Sequence, residues 1–114
     1  TSCLLKAAAV CGCVLAGADE EHIKYAEEYA DSLGLAFQII DDILDCTADA
    51  ETLGKPIGSD EKNGKTTYVT LYGIDGARKK AAELSENAES LLDNFEGDST
   101  ALKELTKYLL NRSY

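Results

Sequence analysis

The sequence predicts an all-α protein, and three features carry that prediction. Apolar residues recur at steps of three and four along most of the chain. No segment alternates apolar and polar residues as a half-buried strand does. Glycines and aspartates, the residues that end and begin helices, fall between the periodic segments.

Residues 2–16 (SCLLKAAAVCGCVLA) place Leu4, Ala8, Cys11 and Leu15 at helical spacing and stop at Gly17. Asp19 is placed to cap the next helix, whose first turn carries Glu20 and Glu21 against the positive end of the helix dipole. From Ile23 the apolar positions run Ala26, Ala30, Leu33, Phe37, Ile40 and Leu44, which predicts one long helix to about residue 46. Residues 47–64 hold three glycines and the only proline and read as a loop. A short helix, TTYVTLY, follows and ends at Gly73. Asp75 opens another, with apolar positions Ala77, Ala81, Leu84, Ala88, Leu91 and Phe95. After the turn at 97–99, Leu102, Leu105 and Leu109 mark the last helix.

The 114 residues suit one domain at most, and 45% hydrophobic residues in periodic patterns exclude disorder. No apolar run reaches the roughly 18 residues of a membrane span, and no signal peptide with a basic start is present. There is no methionine, and the chain opens inside an apolar helical pattern, which reads as a fragment or a processed piece. A net charge of −10 argues against nucleic acid or an anionic membrane as partner. It suits metal cations, or anions bound through them. Cys3, Cys11, Cys13 and Cys46 form no CxxC pair, and His22 is not placed to complete a zinc set. They read as reduced core cysteines of a cytosolic protein.

One stretch resists a purely structural account. FQIIDDILD, residues 37–45, sets Gln38, Asp41, Asp42 and Asp45 among five large apolar side chains, and an ionised carboxylate in an apolar setting is costly unless paired. At about 100° per residue, Asp41 and Asp45 share a face, with Gln38 within roughly 60° of both. These three border the predicted apolar stripe, while Asp42 sits further round. Hard oxygen ligands along the edge of a buried face suit Mg²⁺, which takes one or two carboxylates plus substrate phosphates. The loop GKPIGSDEKNGK adds Lys55, Asp60 and Lys65, with lysines suited to the outer oxygens of a metal-bound diphosphate. Two other motifs fail on context. GSDEKNGKT has five residues between Gly58 and Gly64 where a P-loop has four, and no strand precedes it. Asp31-Ser32-Leu33 matches the prosthetic-arm tripeptide of acyl carrier proteins, but Ser32 lies in the middle of a helical pattern rather than at its start.

FQIIDDILD followed by LGKPIGSDEKNGKTTY resembles the second aspartate-rich region of the trans-prenyltransferases, the polyprenyl synthetase family. The match falls at Phe37, Gln38, Asp41, Asp42, Asp45, Gly54, Lys55, Gly58, Asp60, Gly64, Lys65, Thr66 and Tyr68. The flanks, TSCLLKAAAVCGCVLAGA, LYGIDGARKKAAEL and YLLNRSY, are similar to helices of the same family, so the resemblance covers essentially the whole chain. It is closest to the bacterial farnesyl and geranylgeranyl diphosphate synthases.

The resemblance implies the C-terminal part of an isoprenoid synthase helical bundle, with residues 1–114 a single all-α region and the N-terminal part absent. It implies Mg²⁺-dependent head-to-tail condensation of isopentenyl diphosphate with an allylic diphosphate, in a cytoplasmic enzyme that is a homodimer when complete. Carried over, Asp41 is the main metal ligand on this side, with Asp42 and Asp45 acting through water and Asp60 behind them. Lys55 and Lys65 bind the allylic diphosphate, and Arg112 joins that set. Gln38 lines the reactive end of the pocket, and Thr1 lies near the developing allylic cation. The family's first aspartate-rich motif and its upstream basic residues are missing, so this chain alone is expected to be inactive. Two other readings stay open: a non-catalytic helical subunit that modulates a prenyltransferase, and a fragment of a class I terpene cyclase. The latter's second metal motif is built from Asn, Ser or Thr with Glu, which FQIIDDILD lacks.

Overall fold

A computed structural model describes residues 2–52 and 68–111, with the backbone alone for 48–52. These residues form helices α1 (Ser2–Leu15), α2 (Glu20–Thr52), α3 (Tyr68–Leu92) and α4 (Thr100–Leu110), and no strand occurs among them. The all-α prediction holds.

Gly17 ends α1 as expected. Its φ of 78° is the left-handed conformation glycine adopts without steric cost, and the turn bonds are those of a Schellman motif. Ala18 N–H donates to Cys13 C=O at 2.9 Å and Gly17 N–H to Val14 C=O at 3.1 Å. Asp19 then caps α2 through the backbone N–H of His22, 2.9 Å from Oδ1.

α2 runs on to Thr52, past the expected end near residue 46. The segment TADAET contains no breaker, and Gly54 and Pro56 come only later. Thr47 is accommodated because its hydroxyl donates back to the carbonyls of Ile43 and Leu44, at 3.1 and 3.2 Å. The rest of the expected loop, 53–64, lies outside the described residues. Gly73 breaks α3 where the sequence places a boundary, with φ 75° and ψ 170° inside the helical run.

The core lies between α2 and α3, which pack antiparallel. At one end Tyr29, Leu33 and Ala36 meet Ala88 and Leu92, with Leu110 of α4 closing the cluster. At the other, Ile39, Ile43 and Cys46 meet Val69, Ala77 and Ala81. The buried stripe of α2 therefore passes from Leu33 through Ala36, Ile39, Ile43 and Cys46, not through Phe37, Ile40 and Leu44, which are only half-buried. Both stripes fit a 3.6-residue period, and α3 selects between them. α1 crosses α2 at Gly34 and forms an ion pair from Lys6 to Asp31 at 3.0 Å.

α1 has no buried residue. Its predicted stripe at Leu4, Ala8, Cys11 and Leu15 faces outward, while Leu5, about 90° round the helix, packs against the core. The cysteine expectation is corrected accordingly. Cys46 is buried, Cys13 is half-buried, and Cys3 and Cys11 are exposed.

Candidate functional site

Gln38, Asp41, Asp42 and Asp45 occupy two consecutive turns near the middle of α2, in unbroken helix. Asp41 and Asp45 are therefore one turn apart, about 6 Å of axial rise. Because the packed stripe is Ala36, Ile39, Ile43 and Cys46, Asp42 is the carboxylate that flanks it, roughly 80° away. Asp41 and Asp45 lie further round, which reverses the order expected from the sequence. Asp41 and Asp42 are half-buried, and Asp45 and Gln38 are exposed. The Gln38 amide donates to Asp42 Oδ1 at 3.4 Å, so the glutamine is tied to Asp42 rather than to Asp41.

These turns carry three carboxylates and an amide along one partly exposed ridge. Among the described residues no three His, Cys, Asp or Glu side chains converge into a closed metal cage. Carboxylates in successive turns of one helix point along a line, so they offer one flank of a coordination sphere. The donor set is all oxygen, which fits a hard divalent cation completing its shell with water and phosphate oxygens. It does not fit zinc, which seeks nitrogen and sulfur. Thr1, Lys55, Asp60, Lys65 and Arg112 lie outside the described residues.

A second feature lies roughly 30 Å along the same helix. A groove of about 760 Å³ opens between α1, the start of α2 and the corner joining α3 to α4. Its walls include Gly12 and Cys13 of α1, His22 and Tyr29 of α2, and Phe95 and Leu102. Gln38 and the three aspartates of 41–45 take no part in it. Sequence reasoning considered His22 only as a zinc ligand and missed this cluster; the Asp19–His22 spacing of three was the signal available.

Ionisable groups here are shifted by local hydrogen bonds. The His22 ring sits above its ordinary pKa, first because it donates to Asp19, against some desolvation, with Asp19, Glu21 and Glu96 adding. Asp19 is held low by the backbone N–H of His22 and then by its ring. Asp98 is likewise lowered by the side-chain and backbone donors of Thr100.

Among the described residues no helix is long and apolar enough to cross a membrane. The sequence profile of the family described as polyprenyl synthetase matches residues 1–109. A dimethylallyltranstransferase of Fischerella ambigua (strain UTEX 1903) is 44% identical over 114 residues, covering 100% of this chain and 33% of its own length. Geranylgeranyl pyrophosphate synthase 11, chloroplastic, of Arabidopsis thaliana is 42% identical over 98% of this chain and 32% of its own length. The farnesyl diphosphate synthase of Escherichia coli (strain K12) is 40% identical over 99% of this chain and 39% of its own length. The chain thus spans about a third of the length of the curated relatives it matches. With a profile match over nearly every residue and the aspartate ridge on a continuous helix, this chain belongs to the polyprenyl synthetase family.

Proposed function

We propose that this chain carries the second aspartate-rich motif of a short-chain prenyl diphosphate synthase, which joins isopentenyl diphosphate to an allylic diphosphate. The observation that carries the reading is the ridge of Gln38, Asp41, Asp42 and Asp45 on α2, within a chain matched by the family profile from residue 1 to 109. The relatives named as dimethylallyltranstransferase and as farnesyl and geranylgeranyl synthases support the substrate class.

In this reading Asp41 would hold Mg²⁺, with Asp42 and Asp45 acting on it through water and Asp60 behind them. When bound there, Mg²⁺ would supply positive charge against the charge that builds up on a departing diphosphate. Lys55 and Lys65 meet the outer oxygens of the allylic diphosphate, and Arg112 adds a further cation. The Gln38 amide, anchored to Asp42, lines the reactive end, and the Thr1 hydroxyl faces the developing allylic cation. Stabilising charge as it develops is the largest contribution such a site makes.

The complete enzyme is a homodimer, a reading supported by the exposed Leu4, Val14 and Leu15 on α1. A cytoplasmic setting fits the exposed thiols of Cys3 and Cys11, which a reducing compartment preserves.

The test is steady-state kinetics on the full polypeptide, with isopentenyl and dimethylallyl diphosphates and Mg²⁺. Asp41→Ala is expected to lower kcat by about 10²-fold or more, because a preorganised electrostatic contact is lost. Lys55→Ala is expected to raise the KM for the allylic diphosphate. Near-normal turnover in Asp41→Ala would refute the assignment.

A further inference from the structure

The start of α2 holds a cluster that this chemistry leaves unused. His22 Nδ1 lies 2.5 Å from Asp19 Oδ1, the same oxygen that accepts its backbone N–H. The imidazole packs against Phe95, with ring centroids 5.6 Å apart and planes tilted by 58°. Tyr25 completes a three-ring cluster, 6.3 Å from His22 and 6.5 Å from Phe95, and its hydroxyl donates to Glu21 at 3.0 Å. Phe95 belongs to the corner joining α3 to α4, so this cluster ties that corner to the start of α2.

The titratable groups around His22 are almost all acidic. Asp19, Glu21 and Tyr25 come from its own helix or cap, and Glu96 and Asp98 from the corner. Cys13 of α1 stands across the groove, and no lysine or arginine is among the described residues that line it. A protonated ring is attracted by every carboxylate in this set, and its centroid, 5.6 Å from that of Phe95, lies within the roughly 6 Å over which an aromatic ring holds a cation. A neutral ring keeps its contact with Asp19 and its packing against Tyr25 and Phe95 but loses the charge-based attraction to Phe95 and Glu96.

We propose that His22 is a proton-controlled latch: the imidazolium clamps the α3–α4 corner onto the start of α2, and the neutral ring releases it. The corner forms one wall of the 760 Å³ groove, so the latch governs how firmly that wall is held.

The raised pKa of His22 sets the direction of the response. A folded value above the unfolded one, about 6.5, stabilises the clamped state fully below that pH and loses the contribution as pH rises through the folded value. Asp19 is shifted the other way. Its contribution is present above the unfolded value near 3.9 and is lost as pH falls through the lower folded value. The latch is thus fully closed between about pH 4 and pH 6.5 and opens as pH rises through the higher folded value of His22. The side chains of His22 and Asp19 are 30% and 64% exposed, so salt weakens the clamp.

The test is NMR on the full polypeptide with labelled histidine, using His22→Gln to identify the resonance. His22 is expected to titrate above about 6.5. Amide exchange at Asn94 and Phe95, which donate to Leu91 and Leu92 in the corner turn, is expected to be several-fold slower at pH 6 than at pH 8.5 after correction for intrinsic rates. Asp19→Asn keeps a residue that caps equally well but removes the charge. In that variant the titration, and with it the pH at which the corner loses protection, should fall toward the ordinary histidine value, and in His22→Gln the difference in exchange should vanish. Titration of His22 at or below its ordinary value, equal corner protection at both pH values, or an unchanged response in Asp19→Asn would each overturn the proposal.

Discussion

Thr106 shows how one buried hydroxyl organises its neighbours. Its side chain is fully buried, its Oγ1 donates to the Leu102 carbonyl at 2.8 Å, and Tyr29 Oη lies 2.8 Å from the same atom. A hydroxyl has one proton, so with the threonine's spent on Leu102 the tyrosine must be the donor to Thr106. This bond joins α4 to α2 through the core, and the two ends are not equivalent. Tyr29→Phe removes a donor whose acceptor is otherwise engaged and should cost about 0.5–1.5 kcal/mol. Thr106→Val strands the buried Tyr29 hydroxyl and should cost more, about 1–3 kcal/mol. Urea denaturation of the two variants checks the order; equal losses would mean that Tyr29 finds another partner. The aspartate ridge was legible at this scale too, because three carboxylates among large apolar residues conflict with plain burial. Which of them flanks the core was not legible. That depends on where α3 lies, and the answer is Asp42.

At the scale of elements, α1 and α2 approach tightly at Gly34. A Cβ placed there would stand 2.8 Å from Ser2 Cα, a backbone atom that cannot step aside as a side-chain tip can. In an exposed helix, replacing glycine with alanine gains about 1 kcal/mol. Here overpacking outweighs that gain, and Gly34→Ala should cost about 1–3 kcal/mol net by pushing α1 off α2. Thermal unfolding tests the sign, since a raised Tm would show that α1 yields without cost. Helix ends were the most readable elements. Gly17 and Gly73 were identified as breaks from the sequence and both adopt positive φ. The end of α2 was placed too early, because loop composition was averaged across 47–64 although its first six residues contain no breaker.

At the scale of the whole molecule, α2 sets the dimensions. Its 33 residues, at 1.5 Å rise each, account for most of the 51 Å long axis, and the other two extents are 24 and 20 Å. A body this slender buries little surface for its length. α1 adds to the imbalance, with Leu4, Val14 and Leu15 at 77%, 58% and 89% exposure on a helix whose other side rests against α2. Exposed apolar area of this kind drives association. The 114-residue polypeptide prepared by itself is therefore expected to self-associate in analytical ultracentrifugation and to form no prenyl diphosphate from isopentenyl and dimethylallyl diphosphates. A monomer that made product unaided would contradict both the exposed face of α1 and the view that the ridge on α2 is one flank of a larger site.

What is local could be read from the amino-acid sequence. Helix identity, the Asp19 cap, the glycine breaks and the grouping of Gln38 with three aspartates all follow from short-range spacing and residue chemistry, which neighbours in space do not alter. Tertiary structure decided which face of each helix is inside. α1 is apolar on both sides, so the stripe at Leu4, Ala8, Cys11 and Leu15 and the side that carries Leu5 were equally eligible until α2 covered the latter. α2 likewise offered two interleaved apolar stripes one residue apart, and only the small residues Ala77, Ala81 and Ala88 of α3 let that helix approach Ile39, Ile43 and Ala36 closely enough to choose between them. A 3.6-residue period fixes the spacing of a buried stripe but not its phase, and the phase is set by the partner.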